Sequence, residues 1–161
     1  MRRERVRVLA AALALLAPAT SFAAAKAPVV WGVKQSPAKA VKRGAKFSVT
    51  VAGQIDPGWH LYALEEPQGG PVATVVALAE GDPADLIRVE EGKPKMLPDP
   101  VFGKPTGFFE GSAAFTLRLT LDKNANPGAQ TLHVLIKYQS CNDRVCLPPR
   151  TDTVNVPVTI E

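Results

Sequence analysis

The stretch that decides the fold reads Ala113-Ala114-Phe115-Thr116-Leu117-Arg118-Leu119-Thr120-Leu121. Large apolar side chains alternate there with threonine and arginine. Because successive side chains of a β-strand point to opposite faces, this alternation places Phe115, Leu117 and Leu119 on one buried face. The run is therefore predicted to be a β-strand with a polar outer face and an apolar inner face.

Shorter runs of the same kind occur on both sides of this stretch. The predicted strands cover residues 29–34, 46–51, 59–62, 74–78 and 86–90 before it, and a run ending at Tyr138 and the run 154–160 after it. Residues 72–80 could instead form one or two helical turns. Short strands, frequent proline and glycine turns, and no long amphipathic helix predict an all-β chain of seven or eight strands. We expect an immunoglobulin-like antiparallel β-sandwich, although a barrel would show the same pattern.

A segment rich in proline and glycine, residues 92–111, is predicted to be a loop. It carries six large apolar residues: Met96, Leu97, Val101, Phe102, Phe108 and Phe109. This is more apolar bulk than a fully solvated loop keeps. We therefore expect the segment to fold over another part of the domain.

The first 25 residues have the features of a secretory signal peptide. Four arginines precede an apolar run from Val8 to Ala17, and small residues follow near Ala23. The apolar run is shorter than the roughly 20 residues of a membrane span. We expect residues 1–25 to be removed on export and residues 26–161 to form one soluble domain.

Removal of the signal peptide changes the charge of the protein. It takes away four of the 19 basic residues and one of the 15 acidic residues, which leaves 15 and 14. The formal net charge of +4 thus belongs mainly to the export signal. A nearly neutral mature chain gives no support to nucleic-acid binding or to a basic surface that docks on membranes.

The chain's two cysteines lie together in the run Tyr138-Gln139-Ser140-Cys141-Asn142-Asp143-Arg144-Val145-Cys146-Leu147-Pro148-Pro149. The run connects two predicted strands, so the Cα atoms can approach to the roughly 5.5 Å that a disulfide needs. A loop this short contributes only about 2 kcal/mol to stability, which is a weak reason to keep it. A structural disulfide and a redox-active pair both remain open, and the nearby Lys137, Arg144 and Arg150 could favour a thiolate.

Other chemistries have weaker support in the sequence. A zinc site could combine the two cysteines with His60 and His133, but neither histidine has a ligand-like spacing to another. Trp59 and Tyr62 are interpreted as core or rim aromatics. A hydrolase is less favoured still, because the sequence has no nucleophile elbow, phosphate-binding glycine loop or paired acid motif.

The cysteine run resembles the cysteine motif of a known family, the N-terminal periplasmic domain of the disulfide interchange protein DsbD. Pro57-Gly58-Trp59-His60-Leu61-Tyr62 is similar to a second motif of that family. Phe102-Gly103-Lys104 and Phe109-Glu110-Gly111 also fall where the family would place them. The resemblance covers nearly the whole chain after the signal peptide.

The resemblance implies an immunoglobulin-like sandwich that carries electrons as a dithiol or a disulfide. As a protein-disulfide reductase in the periplasm, it would take electrons from a membrane-linked thioredoxin-like protein and pass them to oxidised periplasmic thiol proteins. Cys146 would form mixed disulfides with these partners and Cys141 would resolve them. No metal or organic cofactor is required, and a monomer is expected.

The resemblance also assigns supporting residues around the cysteines. A cap loop would shield the pair, here residues 99–103, with Asp99 at the position of an acidic residue that assists the exchange. The family's second acidic residue falls at Pro100 and its cap aromatic at Val101, with Phe102 the nearest ring. Tyr138, Gln139 and Pro148 would support the cysteine loop.

Two further expectations concern the partners and the rival function. The chain ends at Glu161, so the electron donor in the membrane is expected to be a separate polypeptide. The alternative function is a periplasmic binding or chaperone module whose disulfide is structural.

Overall fold

The computed structural model describes residues 27–161, and within them eleven strands follow one another. They are β1 (Val29–Gln35), β2 (Lys46–Ile55), β3 (His60–Tyr62), β4 (Val75–Leu78), β5 (Ala84–Glu91), β6 (Lys95–Pro98), β7 (Pro105–Glu110), β8 (Ser112–Leu121), β9 (Gly128–Tyr138), β10 (Ser140–Cys141) and β11 (Arg150–Ile160). The predicted signal peptide, residues 1–25, lies outside the described part of the chain. None of residues 27–161 belongs to a helix long and apolar enough to cross a membrane.

The strands form three sheets in which every neighbouring pair is antiparallel. One four-stranded sheet has the order β1-β2-β8-β5, and a three-stranded sheet has the order β11-β9-β4. A second four-stranded sheet, of order β10-β3-β7-β6, carries the first cysteine. The prediction of an antiparallel all-β sandwich is confirmed.

The main core contains side chains from the sheets of β8 and β9. Its largest contributions come from alternate positions of these two strands: Phe115, Leu117, Leu119 and Leu121 of β8, and Leu132, Val134 and Ile136 of β9. All seven are at most 1% exposed, as the alternation in the sequence predicted. Burial of each such side chain stabilises the fold by about 1.5–3 kcal/mol, so the two strands anchor the sandwich.

In the β10-β3-β7-β6 sheet, the central strands β3 and β7 bury side chains on both faces. Leu61 of β3 pairs with Phe109 of β7, and both side chains belong to the main core. The next pair, Tyr62 and Phe108, belongs to a separate small group of buried residues that includes Cys141. Alternate residues of the same two strands therefore serve the core on one side and the cysteines on the other.

The prediction of a loop over residues 92–111 was wrong in part, because β6 and β7 lie within it. Proline is tolerated in β6 since this strand is at the edge of its sheet. Gly107 allows a close approach between strands, since an added Cβ would lie 3.1 Å from Ala63 Cβ and 3.2 Å from Met96 Sδ. The proline and glycine residues that predicted a loop are thus compatible with an edge strand and with a close approach between strands.

Two smaller expectations also differ from the structure. The helical alternative for residues 72–80 was wrong, since β4 pairs with β9 along Val75–Leu78. The structure has more strands than the seven or eight predicted, because β6, β7 and the two-residue β10 carry too little alternation to be recognised.

Candidate redox site

Cys141 and Cys146 form a disulfide with an Sγ–Sγ distance of 1.99 Å. Their Cα atoms are 4.0 Å apart, closer than the distance of about 5.5 Å expected from the sequence. The short Cα separation follows from a β-bridge between the two residues, which makes the connection from β9 to β11 a narrow hairpin. We call residues 140–147 the cysteine hairpin.

The cysteine hairpin is also held by bonds that do not involve sulfur. The Leu147 amide donates to the Ser140 carbonyl and the Asn142 amide donates to the Val145 carbonyl, both at 2.9 Å. Asn142 Oδ1 accepts from the amides of Arg144 and Val145, also at 2.9 Å. Because these hydrogen bonds are independent of the disulfide, the hairpin has a means of staying folded when the sulfurs separate.

The two cysteine residues differ in their exposure to solvent. Cys141 is fully buried, whereas Cys146 is half-buried at the edge of the site. An external thiol can therefore approach Cys146 more readily than Cys141. This asymmetry is what a pair with one attacked and one resolving cysteine requires.

The residues predicted to support the hairpin lie around it. Gln139 Nε2 donates to the Leu147 carbonyl at 3.2 Å, and its Oε1 accepts from the Val72 amide at 3.0 Å. Tyr138 is buried in the main core, and its hydroxyl donates to Asp152 Oδ2 at 2.6 Å. Pro148 is exposed and directly follows Leu147.

Aromatic side chains surround the buried cysteine. Tyr62, Phe108 and Cys141 form a buried group, with Phe102 and Cys146 packed against it, and we call these five residues the cysteine cluster. The Tyr62 and Phe102 rings meet edge to face, with centroids 6.2 Å apart. The sulfurs are therefore shielded mainly by rings from β3, from β7 and from the loop that follows β6.

That loop is the cap loop, residues 99–103. Asp99 Oδ1 accepts from the amides of Val101 and Phe102 at 2.8 and 3.0 Å, and the Gly103 amide donates to the Asp99 carbonyl at 2.8 Å. These bonds close the loop into a tight turn. Phe102 belongs to the cysteine cluster, whereas Val101 is 48% exposed, so Phe102 is the residue of the cap loop that shields the sulfurs.

A buried polar network joins the cap loop to β3. The Tyr62 hydroxyl donates to Asp99 Oδ2 at 2.8 Å, and His60 Nε2 lies 3.1 Å from the Tyr62 oxygen. Burial alone would raise the pKa of Asp99, but the bonds from Tyr62, Phe102 and Val101 and the proximity of His60 outweigh it and lower that pKa. Asp99 is therefore a carboxylate at neutral pH and holds the cap loop in place.

A second carboxyl group lies between β3 and β7. Glu66 Oε1 accepts from the amides of Ala63 and Gly107, both at 3.2 Å. Burial raises the pKa of Glu66 to about 7, with contributions from Glu91 and Asp99, although the two amide bonds act in the opposite direction. This side chain can therefore exchange a proton near neutral pH.

The positive charges considered for thiolate stabilisation have a different arrangement from the one expected. Arg150 Nε and Nη2 donate to Asp152 Oδ1 at 3.0 and 2.6 Å, so its charge is already paired. Arg144 is exposed at the tip of the cysteine hairpin, and Lys137 is exposed on β9. The groups nearest the buried sulfur are aromatic or belong to the polar network.

The histidines considered for zinc lie in different sheets. His133 is on β9, where its Nδ1 lies 2.8 Å from Asp82 Oδ1, whereas His60 is on β3 beside Tyr62. Between residues 27 and 161, no group of three or more histidine, cysteine or acidic side chains is placed to hold a metal ion. His60 lies beside the cysteines and His133 does not, so the two histidines do not form one site with the cysteines.

Sequence reasoning missed part of the site. His60, Tyr62 and Phe108 surround Cys141, although Tyr62 was interpreted as a core or rim aromatic and Phe108 as part of a loop. The spacing of His60 and Tyr62, two residues apart on one strand, indicates a shared face. Nothing local in the sequence says that this face meets a cysteine.

Comparison with known proteins places this geometry in a family. A model described as "Thiol:disulfide interchange protein DsbD, N-terminal" matches residues 32–157. Among curated protein sequences, the search found no match.

Two solved structures are similar to this chain. One is the N-terminal domain of DsbD from Neisseria meningitidis in the reduced form, with 18% identity and a TM-score of 0.50 over 73% of this chain and 82% of that one. The other is the N-terminal periplasmic domain of ScsB from Proteus mirabilis, with 16% identity and a TM-score of 0.51 over 71% of this chain and 42% of that one. The chain thus spans less than half of the ScsB structure. At these identities the likeness concerns the fold, and it confirms the immunoglobulin-like β-sandwich.

Proposed function

The chain belongs to the family of the N-terminal domain of the thiol:disulfide interchange protein DsbD, and on that premise we propose that it relays electrons between periplasmic thiol proteins through Cys141 and Cys146. Family membership together with the disulfide supports thiol-disulfide exchange in general. The finer proposal is a protein-disulfide reductase that receives electrons from a membrane-linked thioredoxin-like protein. It passes them to oxidised periplasmic thiol proteins.

One observation carries the proposal: a half-buried cysteine residue is bonded to a fully buried one within a hairpin that has its own hydrogen bonds. The accessible Cys146 suits attack by a partner, and the buried Cys141 suits an intramolecular reaction. Because the hairpin does not depend on the disulfide alone, the framework can persist in both redox states.

The exchange proceeds in two balanced stages. A thiolate of the donor attacks Cys146 Sγ, the bond to Cys141 breaks, and Cys141 leaves with the electron pair and takes up a proton. The donor's second thiol then attacks its own sulfur of the mixed disulfide, which oxidises the donor and leaves the domain as a dithiol. In the second stage Cys146 attacks the disulfide of an acceptor, and Cys141 displaces the acceptor's sulfur, which re-forms the Cys141–Cys146 bond.

The cap loop is proposed to control access to this chemistry. Phe102 packs against Tyr62, Phe108 and Cys141, and Asp99 fixes the loop through three hydrogen bonds. A partner that reaches Cys146 must displace Phe102, while Val101 at the exposed tip is available for contact. The proposal also includes export by a signal peptide at residues 1–25 and a mature domain at residues 26–161.

Single-cysteine variants test the proposal. The reduced domain is mixed with the disulfide form of a thioredoxin-like protein. Cys146→Ala is expected to abolish exchange, whereas Cys141→Ala, whose Cys146 thiolate attacks the partner's disulfide, is expected to accumulate a one-to-one covalent complex that dithiothreitol releases. Wild-type protein exchanges and leaves no stable complex. Unchanged exchange in both variants, or no exchange by the wild-type protein, would contradict the proposal and leave a structural disulfide in a binding or chaperone module.

A further inference from the structure

His60 lies beside the buried cysteine, and we propose that it accepts the proton of the Cys141 thiol when Cys141 resolves a mixed disulfide. This role rests on the exchange function proposed above. It would convert a buried thiol into a nucleophile only while the partner is bound to Cys146. The step requires proximity, a free lone pair and a neutral imidazole.

The pairing of β10 with β3 brings His60 close to Cys141. Cys141 of β10 is the direct partner of His60 of β3. Directly opposed residues of an antiparallel pair project to the same face, with Cβ atoms about 4.5–5.5 Å apart. His60 is only 8% exposed, and its ring lies 5.1 Å from that of Phe108, a member of the cysteine cluster. The imidazole and the Cys141 sulfur therefore share one buried space.

The polar network identifies the atom that can accept the proton. The single hydroxyl proton of Tyr62 is donated to Asp99 Oδ2, so the hydrogen bond between Tyr62 and His60 must use a proton on His60 Nε2. Neutral His60 then has its lone pair on Nδ1. Within residues 27–161, no hydrogen bond occupies that nitrogen. The lone pair that receives the Cys141 proton is thus on Nδ1.

The same network stabilises the imidazolium that results. His60 Nε2 lies 3.8 Å from Asp99 Oδ2, so a positive charge on the imidazole is close to the carboxylate. The Tyr62 hydroxyl also links the two side chains by hydrogen bonds. This repeats the general arrangement of a nucleophile, a base and a group that orients the base. Here the nucleophile is Cys141, the base is His60, and Tyr62 with Asp99 orients the base.

The charges around His60 decide its protonation state. It is faced by Tyr62 on its own strand, Asp99 in the cap loop, Glu110 on β7 and Asp143 in the cysteine hairpin. Burial lowers the pKa of His60 below its ordinary 6.5, and the three carboxylates offset this only in part. The imidazole is therefore neutral at pH 7 and able to accept a proton.

The proposed step is balanced as follows. In the mixed disulfide, the Cys141 proton moves to His60 Nδ1 while Cys141 Sγ bonds to Cys146 Sγ. The bond from Cys146 to the partner sulfur breaks, and the partner leaves as a thiolate with the electron pair. His60 then releases its proton to solvent or to the departing thiolate. The domain is oxidised by two electrons and the partner is reduced.

The experiment measures this step alone, with a small chromogenic partner. Reduced protein is mixed with Ellman's reagent in stopped flow, so that Cys146 becomes the thionitrobenzoate mixed disulfide. Release of the second thionitrobenzoate anion then reports attack by Cys141. The variant is His60→Gln, which keeps an amide donor for Tyr62 but cannot accept the proton. The matched control is His133→Gln, on the outer face of β9.

The pH profile separates proton transfer from a structural effect. Wild-type protein and His133→Gln are expected to show a plateau in the release rate above the pKa of His60 and a fall below it. His60→Gln is expected to be slower by about 10²-fold at pH 7 and to rise about tenfold per pH unit towards the pKa of the thiol. A His60→Gln rate with the wild-type profile, whether equal or uniformly reduced, would overturn the inference.

Two further measurements keep the outcomes distinct. If wild-type protein releases no second thionitrobenzoate, the exchange function itself fails, whatever the variants do. If His60→Gln does not fold, the wild-type profile is compared with the pKa of His60 measured by NMR titration of the reduced protein. Agreement between the bend in the profile and this pKa supports the role of His60, and disagreement rejects it.

Discussion

Strands β3 and β7 face the main core on one side and the cysteine cluster on the other. Leu61 and Phe109 enter an apolar core in which each side chain contributes by burial alone. At the adjacent position of each strand, Tyr62 and Phe108 meet the buried cysteine, where a hydrogen bond connects Tyr62 to Asp99. The comparison teaches that one face carries stability and the other carries chemistry. Substitutions on the two faces should therefore affect different measurements.

The largest effect is expected in the main core. Leu117→Ala removes a fully buried side chain from the centre of β8 and is expected to lower the free energy of unfolding by about 2–5 kcal/mol. The loss should be equal in the oxidised and reduced proteins, as urea unfolding would show. Thr120→Ala on the outer face of the same strand is the control, with a change within about 0.5 kcal/mol. A Leu117→Ala protein with normal stability but altered exchange would break the comparison.

A smaller loss is expected on the cysteine side. Tyr62→Phe leaves Asp99 Oδ2 without its hydroxyl donor and His60 Nε2 without its acceptor, which costs about 1–3 kcal/mol in a buried site. Because the cap loop is anchored through Asp99, alkylation of Cys146 in the reduced protein should become faster. Tyr138→Phe, which removes a hydroxyl bonded to Asp152, should leave the alkylation rate unchanged. Equal alkylation rates in both variants would argue against anchoring of the cap loop by Tyr62.

Substitution of Glu66, the carboxyl group between β3 and β7, is expected to raise the free energy of unfolding rather than lower it. The folded-state pKa of Glu66, about 7, lies above its ordinary 4.5, so the folded protein binds the extra proton between these values. Stability from this group is full below pH 4.5 and is lost as the pH rises through 7. Glu66→Gln keeps an acceptor for Ala63 and Gly107 and should raise stability at pH 8 by about 1–2 kcal/mol.

Glu65, the exposed residue next to Glu66, provides the control for the dependence of stability on pH. Glu65→Gln should leave the dependence of stability on pH as it is in the wild-type protein, whereas Glu66→Gln should flatten it between pH 4.5 and 7. Chemical unfolding across that range measures both. If Glu66→Gln kept the wild-type slope, a different group would be responsible for it.

The smallest effect is expected at the surface. Lys95 and Glu110 form an ion pair between β6 and β7, and both side chains are more than half exposed. Since such pairs contribute little in water, Lys95→Ala should change the free energy of unfolding by no more than about 0.5 kcal/mol. A loss above 1 kcal/mol in the same unfolding assay would show that β6 is held more tightly than an exposed edge strand should be.

These regions also differ in how well the sequence predicted them. The alternation in β8 and β9 identified the core side chains, because burial on one face of a strand leaves a period of two in the sequence. The short spacing of Cys141 and Cys146 indicated a disulfide between neighbouring strands, which the structure contains. Both signals are local, and local signals were sufficient there.

The polar network left no comparable local signal. Tyr62 and Asp99 are 37 positions apart, and their hydrogen bond depends on the pairing of β3 with β7 and on the cap loop. β6 and β7 were predicted as loop because residues 92–111 are rich in proline and glycine. The sequence did not decide whether Val101 or Phe102 covers the sulfurs, because this depends on the turn at Asp99.

The reduction potential of the disulfide tests the central claim most directly. The protein is equilibrated with thiol buffers of known potential, and the dithiol fraction is read by alkylation while circular dichroism follows the sheets. We expect a reversible two-electron transition above about −300 mV, in the range of exchange proteins, with unchanged β-structure. A potential below about −300 mV, or loss of the fold on reduction, would contradict a redox-active pair on a framework that stays intact.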